Sequence, residues 1–394
     1  MAGVARSRPI WLCALLAVSS CNLSGTKPGS DEGSAPRKVK VDRPGLPVAA
    51  LTEQELARFK QGDALFEATV RTSDGLGPLY IRDACSACHK GDGRGPGLVT
   101  KVVPARGGTE LPNMLVAYGP TERPYAVAGA KVPLLAPQDE SVRVEHRLPP
   151  AVFGRGYLEA IADQDIERLA ELAGRRTGSI RGRIHRLKDG AIGRFGIKAR
   201  LANLSDFTAD ALSSDMGLTS PTLPDELPNP EGLRDDEKSG VDFTTEQVEL
   251  ISGYLRALRI PDRRGTAERG PAIFEAAQCS ACHVPSFTTS KSYAVAALAG
   301  IKVDVYTDLL LHDMGAGLAD GLTEGSAGPR EFRTAPLIGL RFLPSLLHDG
   351  RAKTVEEAIL AHDGEDSEAR DSIARFRALP ANERAELVKF VEAL

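Results

Sequence analysis

Apolar residues recur at helical spacing in two stretches that mirror one another. Val248, Ile251, Leu255 and Leu258 fall on one face of a helix, and Leu387, Phe390, Val391 and Leu394 do the same at the end of the chain. Thr244-x-x-Gln247 opens the first of these helices with a capping-box pattern. Each stretch has an upstream companion: Ala64-Leu65-Phe66-Glu67-Ala68 precedes one, and Ala272-Ile273-Phe274-Glu275-Ala276 precedes the other. The pattern predicts an internal repeat in which an opening helix and a closing amphipathic helix pack on each other. Between the two copies lie many Pro and Gly residues, as in Gly91-Asp92-Gly93 and between Pro221 and Pro230. Such composition predicts irregular loops with a few short helices, among them one over Asp163 to Ala173. Glu145-His146-Arg147 reads as a surface strand. A boundary at Pro261 to Gly265 divides the chain into units at residues 51–260 and 261–394.

The first fifty residues follow a different pattern. Arg6 and Arg8 precede an apolar run from Ile10 to Val18, which ends in Val18-Ser19-Ser20-Cys21. The run is too short to span a bilayer, and its layout is that of an export signal over residues 1–20. Small residues directly before a cysteine resemble the bacterial lipobox, which makes Cys21 the expected lipid-bearing first residue of the mature chain. Residues 21–50, rich in Gly, Ser, Pro and Lys, read as a flexible tether. The expected location is the periplasmic side of a bacterial membrane, held there by the lipid. With 49 basic and 53 acidic side chains spread along the sequence, no basic surface suggests nucleic acid as a partner.

Cysteine usage then narrows the chemistry. Of six cysteines, Cys13 leaves with the signal and Cys21 takes lipid, so Cys85, Cys88, Cys279 and Cys282 remain. They form two Cys-Ser-Ala-Cys-His motifs, each behind one copy of the repeat. In C-x-x-C-H the two thiols add across the vinyl groups of a haem and the histidine supplies a proximal iron ligand. A zinc site built from two C-x-x-C pairs wants roughly 15 to 20 residues between them; here the pairs are almost two hundred apart. A redox C-x-x-C belongs beside a βαβ unit, which neither copy has. Two covalently bound haems c are therefore expected, on His89 and His283. A helix, C-x-x-C-H and a closing helix is the plan of a cytochrome c domain. The expected fold is mostly α, two cytochrome c-like helical domains with a long loop-rich insertion in the first.

Further motifs identify a family. Asp308-Leu309-Leu310-Leu311-His312-Asp313-Met314-Gly315, Phe332-Arg333-Thr334-Ala335-Pro336-Leu337 and Leu347-His348-Asp349-Gly350-Arg351 resemble the di-haem oxidoreductases, as do Gly193 to Ala199 and Asp215-Met216-Gly217-Leu218-Thr219-Ser220. That family is related to bacterial di-haem cytochrome c peroxidases and to the methylamine-dehydrogenase maturation enzyme, and is sometimes labelled thiol oxidoreductase. The resemblance covers roughly residues 60 to 394. In the peroxidases the sixth ligand of the C-terminal haem lies fourteen residues beyond the H-x-G histidine. Counting from His348, this places the ligand at His362, at the end of a helix that Thr354 and Glu357 would cap. Met314 is the alternative ligand, and a histidine at a helix C-terminus also suits the helix dipole without any metal.

For the first haem the resemblance points to Asp215 as a general acid/base, about twenty residues after the aromatic Phe195, with Met216 as a ligand that would instead close the iron. Asp215 could equally be a capping or turn residue. Phe195 stands where the peroxidases carry Trp, and Trp11, the sole tryptophan, lies in the signal. The resemblance implies an oxidoreductase that takes electrons from a small redox protein at one haem and reduces hydrogen peroxide or another small substrate at the other. The alternative is a non-catalytic, membrane-tethered di-haem electron-transfer protein.

Overall fold

The computed structural model describes residues 43–93, 98–105, 119, 121–127, 140–176, 178–227, 240–265 and 267–394. The signal, Cys13, Cys21, Met114 and most of the tether lie outside the described residues. The helices are α1 (Glu53–Glu67), α2 (Cys85–Cys88), α3 (Arg155–Glu159), α4 (Asp163–Gly174), α5 (Leu204–Met216), α6 (Thr245–Ala257), α7 (Gly270–Ala276), α8 (Val355–Leu360), α9 (Arg370–Ala378) and α10 (Ala381–Glu392). The strands are β1 (Leu79–Tyr80), β2 (Val99–Pro104), β3 (Tyr125–Ala126), β4 (Val142–Arg147), β5 (Ser286–Thr288), β6 (Lys302–Asp304), β7 (Leu311–Asp313) and β8 (Glu331–Arg333). They pair as four antiparallel two-stranded ladders, β1 with β3, β2 with β4, β5 with β6 and β7 with β8. The expectation of a mostly helical chain thus holds in part, because short ladders share the loop-rich regions with the helices.

The internal repeat is visible as two helix crossings built on the same device. Thr52 and Glu55 cap α1 reciprocally, and Thr244 and Gln247 do the same for α6. The two helices meet at Gly62, where an added Cβ would lie 2.1 Å from the carbonyl oxygen of Leu250 and 2.7 Å from Cβ of Tyr254. Phe59 and Phe66 flank this contact and pack on the Tyr254 ring at 4.9 and 5.4 Å. In the second copy Gly270 opens α7, and a Cβ there would lie 2.3 Å from that of Phe390 on α10. Phe274, four residues on, packs edge-on against Phe390 at 5.6 Å. Both crossings need a glycine because any side chain would hold the helices apart.

The two halves are fused more closely than a boundary at 261–265 suggests, and residues Asp42 to Leu394 form one compact unit. The larger core gathers Phe59, Phe66, Leu212 and Tyr254 together with Phe287, Val305 and Leu310 from beyond that boundary. A second core, with Phe274, Phe376, Leu387 and Phe390, lies wholly in the C-terminal half. The end of the expected tether also belongs to the fold: Val48 donates to the Ala257 carbonyl and Arg259 to that of Leu46.

A buried ion cluster ties the insertion to the C-terminal half. Lys198 and Asp320 are both fully buried and 3.1 Å apart, Arg147 pairs with Asp320 and Glu324, and the Lys198 ammonium also donates to the carbonyls of Gly328 and Glu331. Arg147 lies at the end of β4, so the stretch read as a surface strand turns its last residue inward. An amphipathic α4 occupies the span expected for it.

Replacing Gly62 or Gly270 with Ala is expected to destabilise the protein by about 1–3 kcal/mol through overpacking, outweighing the gain in helix propensity. A thermal-unfolding midpoint no lower than wild type in both variants would contradict the close helix approach.

Candidate functional site

Both C-x-x-C-H motifs sit on a single tight turn against the phenylalanine of the opening helix. In the first, Cys85–Cys88 forms α2, the His89 amide donates to the Cys85 carbonyl at 2.9 Å, and the His89 ring lies 6.1 Å from that of Phe66. In the second, the His283 amide donates to Cys279 at 3.0 Å and the His283 ring lies 6.5 Å from Phe274. All four cysteines are free thiols. Burial pushes Cys85 and Cys279 up to about 12, and burial with the nearby Asp215 carboxyl pushes Cys88 up to about 11. A zinc or redox site requires thiolates, which these surroundings oppose. An uncharged thioether suits them.

The second motif opens onto a cavity of about 280 Å³ whose wall carries Cys279, Cys282, His283, Met314 and His362. Its chemistry is set by two hydrogen bonds. His283 Nδ1 lies 3.0 Å from the Tyr306 carbonyl, and His362 Nδ1 lies 2.7 Å from the Ala358 carbonyl. A carbonyl oxygen can only accept, so each ring carries its proton on Nδ1 and keeps the lone pair on Nε2. Burial pulls His283 down to about 4, assisted by the unfavourable field of a charged His362; burial lowers His362 as well. The two rings therefore face the cavity as neutral, oriented donors, the form in which imidazole binds a metal. His362 sits just past α8, which Thr354 and Glu357 cap as the sequence implied.

Two further histidines, His312 and His348, line the same cavity, and each is held by other groups. His312 lies between Asp308 at 2.9 Å and Glu368 at 2.6 Å, and 3.7 Å from the Cys282 sulfur. Burial opposes its charge, but the free Cys282 sulfur and the Asp308 carboxylate raise its pKa well above the usual range; with that sulfur in a thioether, Asp308 and Glu368 are the charges left to hold the imidazolium. Although Cys282, Asp308 and His312 cluster closely enough to grip an ion, a protonated imidazole is no ligand. His348 stacks on Phe332 at 4.4 Å, and His185 directs Nδ1 to the Lys198 carbonyl at 2.6 Å.

At the first motif the chain brings Asp215 in from far along the sequence. The Asp215 carbonyl accepts from Ile81 at 2.7 Å and the Met216 carbonyl accepts from Gly77 at 3.0 Å, stitching the end of α5 to the segment ahead of Cys85. Gly217 closes the helix in a left-handed turn at φ 72°, where a Cβ would meet the Gly77 carbonyl at 2.2 Å. Asp215 thus ends a helix and is not the N-cap that the sequence left open. It is half-buried, and desolvation raises its pKa despite the opposing field of Lys101. Lys101 and the buried Arg123 are cations that no motif announced, both with pKa values lowered by burial, and Lys101 donates to Thr121. Met216 is buried in the larger core. Phe195 lines the cavity of the second motif and stacks on Phe207 of α5 at 6.0 Å, so one aromatic pair connects that cavity to the helix that carries Asp215.

A family model described as "Di-haem oxidoreductase, putative peroxidase" matches residues 42–107 and 129–394. No curated protein matches the chain. Among solved structures, Kuenenia stuttgartiensis hydrazine synthase aligns over 95% of this chain and 100% of its own at 15% identity, with a TM-score of 0.42. A MauG-like protein associated with microbial copper homeostasis aligns over 90% of this chain and 92% of its own at 16% identity, with a TM-score of 0.42.

Glu368 gives this site a pH dependence. It accepts from the amides of Arg181, Gly182 and Asp313 as well as from His312. Burial alone would raise its carboxyl, but the His312 imidazolium and these donors hold it below the ordinary value. A carboxylate lowered on folding contributes stability above its unfolded pKa of about 4.5 and loses it as pH falls through the folded value. Glu368→Gln should remove about 1.5–3 kcal/mol at neutral pH and flatten this acid limb. An acid-unfolding curve of unchanged shape in the variant would contradict that assignment.

Proposed function

The chain belongs to the di-haem oxidoreductase family, and on that premise we propose that it carries two haems c and passes electrons between a small redox protein and a peroxide-like oxidant. The observation that supports this most directly is the pairing of His283 and His362 on one cavity, each with Nε2 left free by a carbonyl bond at Nδ1. The haems supply the redox chemistry; the protein sets their ligation and access.

In this reading each thiol of a C-x-x-C pair adds its sulfur to one vinyl carbon and its hydrogen to the next. Cys85 and Cys88 hold haem 1 and Cys279 and Cys282 hold haem 2. His89 and His283 are the proximal ligands. His362 closes haem 2, because its ring is already neutral and oriented, whereas Met314 follows β7 in a glycine turn and packs as a side chain of the wall. Two imidazoles give a lower potential than a histidine and a methionine, which suits haem 2 to storing an electron rather than meeting oxidant.

The reaction is assigned to haem 1. Asp215 is a carboxyl whose pKa desolvation raises beside the Cys85–Cys88 turn, and it would serve as the proton donor and acceptor for a peroxide bound there, exchanging its proton with solvent. Lys101 and Arg123 lend positive potential to the same place, where negative charge develops as the O–O bond lengthens. Phe195 and Phe207 stack on the wall of the second cavity, where no oxidisable indole is present among the described residues. Export and attachment through a lipid on Cys21 complete the proposal; among the described residues no helix is long and apolar enough to cross a membrane.

His362→Ala should turn haem 2 from low to high spin by electronic absorption and paramagnetic resonance, while Met314→Leu leaves it low spin; the reverse result would move the ligand to Met314. Asp215→Asn should lower peroxide turnover by about 10²–10⁴-fold with haem 2 unchanged. A protein whose haems are both low spin in either redox state and never bind cyanide would instead be the non-catalytic electron carrier.

A further inference from the structure

Among the polar residues that line the cavity beside His283 and have no part in the ligation scheme, Arg333 and Thr334 are neighbours in sequence. Arg333 ends β8, whose pairing with β7 and a further bridge from Arg183 to Leu311 fix its backbone. Its guanidinium donates to two carbonyls, from Nε to Gly196 at 3.2 Å and from Nη1 to Thr334 at 2.8 Å. Among the described residues no carboxylate pairs with it. Arg147, Arg194 and Arg256, which are similarly enclosed, pair with Asp320, Asp163 and Glu159. The nearest acidic influence on Arg333 is Asp308, and that carboxylate is taken by His312. The next residue, Thr334, is 8% exposed and its hydroxyl oxygen has no hydrogen-bond partner. Both side chains line the cavity.

A largely enclosed guanidinium without an anion and a buried hydroxyl without a partner are each unfavourable on a cavity wall. On one cavity, they offer donors suited to one carboxylate. We infer that Arg333 and Thr334 form a carboxylate receptor, and that the carboxylate it takes is a propionate of the haem held by Cys279, Cys282 and His283. This rests on the di-haem reading above. A haem brings two carboxylates into any cavity it fills. A covalently held one presents them at an effective concentration that a free anion does not match. The receptor also reaches the rest of the cavity: through its Gly196 bond Arg333 fixes the backbone next to Phe195, another ring of the same wall. It is a positioning pair, setting the charge around haem 2 and the seat of Phe195.

The test is a spectroelectrochemical titration of the di-haem protein as wild type, Arg333→Gln, Arg333→Lys and Thr334→Val. Thioether attachment keeps haem 2 in place, so its midpoint potential reads the receptor directly. A cation beside the haem favours the reduced state. Arg333→Gln should therefore lower the haem 2 potential and make it more pH-dependent as the released propionate titrates. Thr334→Val should lower it less, Arg333→Lys should stay near wild type, and haem 1 should not move. An unchanged haem 2 potential in both Arg333→Gln and Thr334→Val overturns the inference; should Arg333→Gln fail to accumulate, the near-isosteric Thr334→Val decides alone. Added acetate that shifts the wild-type haem 2 spectrum, and does so only with Arg333 present, would make the occupant a free anion and overturn the propionate assignment. Wild-type protein without two covalent haems would overturn the reading beneath, an outcome separable from all of these.

Discussion

Everything proposed for this chain depends on where two imidazole rings keep their protons. His283 and His362 face one largely apolar cavity, where a charged ring is unstable and a ring with a free N–H is unsatisfied. The carbonyls of Tyr306 and Ala358 resolve both problems by taking the Nδ1 protons, which leaves two fixed lone pairs on one space. A zinc or redox role would need the neighbouring thiols as anions, and burial denies that to Cys279 as it does to Cys85 and Cys88. Neutral imidazole nitrogens beside thiols whose ionisation burial opposes are compatible with the haem cofactors of the family.

The scaffold meets this requirement twice with one device and then departs from symmetry. Gly62 against α6 and Gly270 against α10 let an opening and a closing helix touch, and a phenylalanine four residues after each glycine packs near the motif histidine. Beyond this the copies differ in the charges they gather. The first collects a carboxyl with a raised pKa and two basic side chains, Asp215 with Lys101 and Arg123. The second collects a locked Asp308, His312 and Glu368 set together with Arg333. The Lys198 and Asp320 cluster and the shared core hold both sites in one body, with the aromatic pair Phe195 and Phe207 on the wall of the second cavity.

Local features were legible in the sequence, and long-range ones were not. The capping boxes at Thr244 and Thr354, helix α4, the closing helices and the two motif turns follow from rules that act over three or four residues. The placement of His362 was legible because a family spacing ran along one continuous element. Asp215 was ambiguous because an acidic residue before Met-Gly suits a helix start and a helix end equally well; only its bonds to the 77–81 segment decide. Lys101, Arg123 and the Lys198 to Asp320 pair carry no local signature, since each is defined by partners far along the chain. The pairing at the end of the tether is illegible for a similar reason: Leu46 to Val48 looks featureless until its partner at 257–259 is known. Arg333 and Thr334 were quoted as part of a motif, but their unmatched donors appear only once the cavity exists.

The central claim is that both C-x-x-C-H turns are covalently loaded. It is tested most directly by the intact mass of the protein produced in an exporting host with haem-attachment machinery, combined with peptide mapping. The account predicts the mature chain plus two haem masses, one on the Cys85–Cys88 peptide and one on the Cys279–Cys282 peptide. A chain of apoprotein mass, or one with four unmodified thiols that takes up zinc instead, would contradict it.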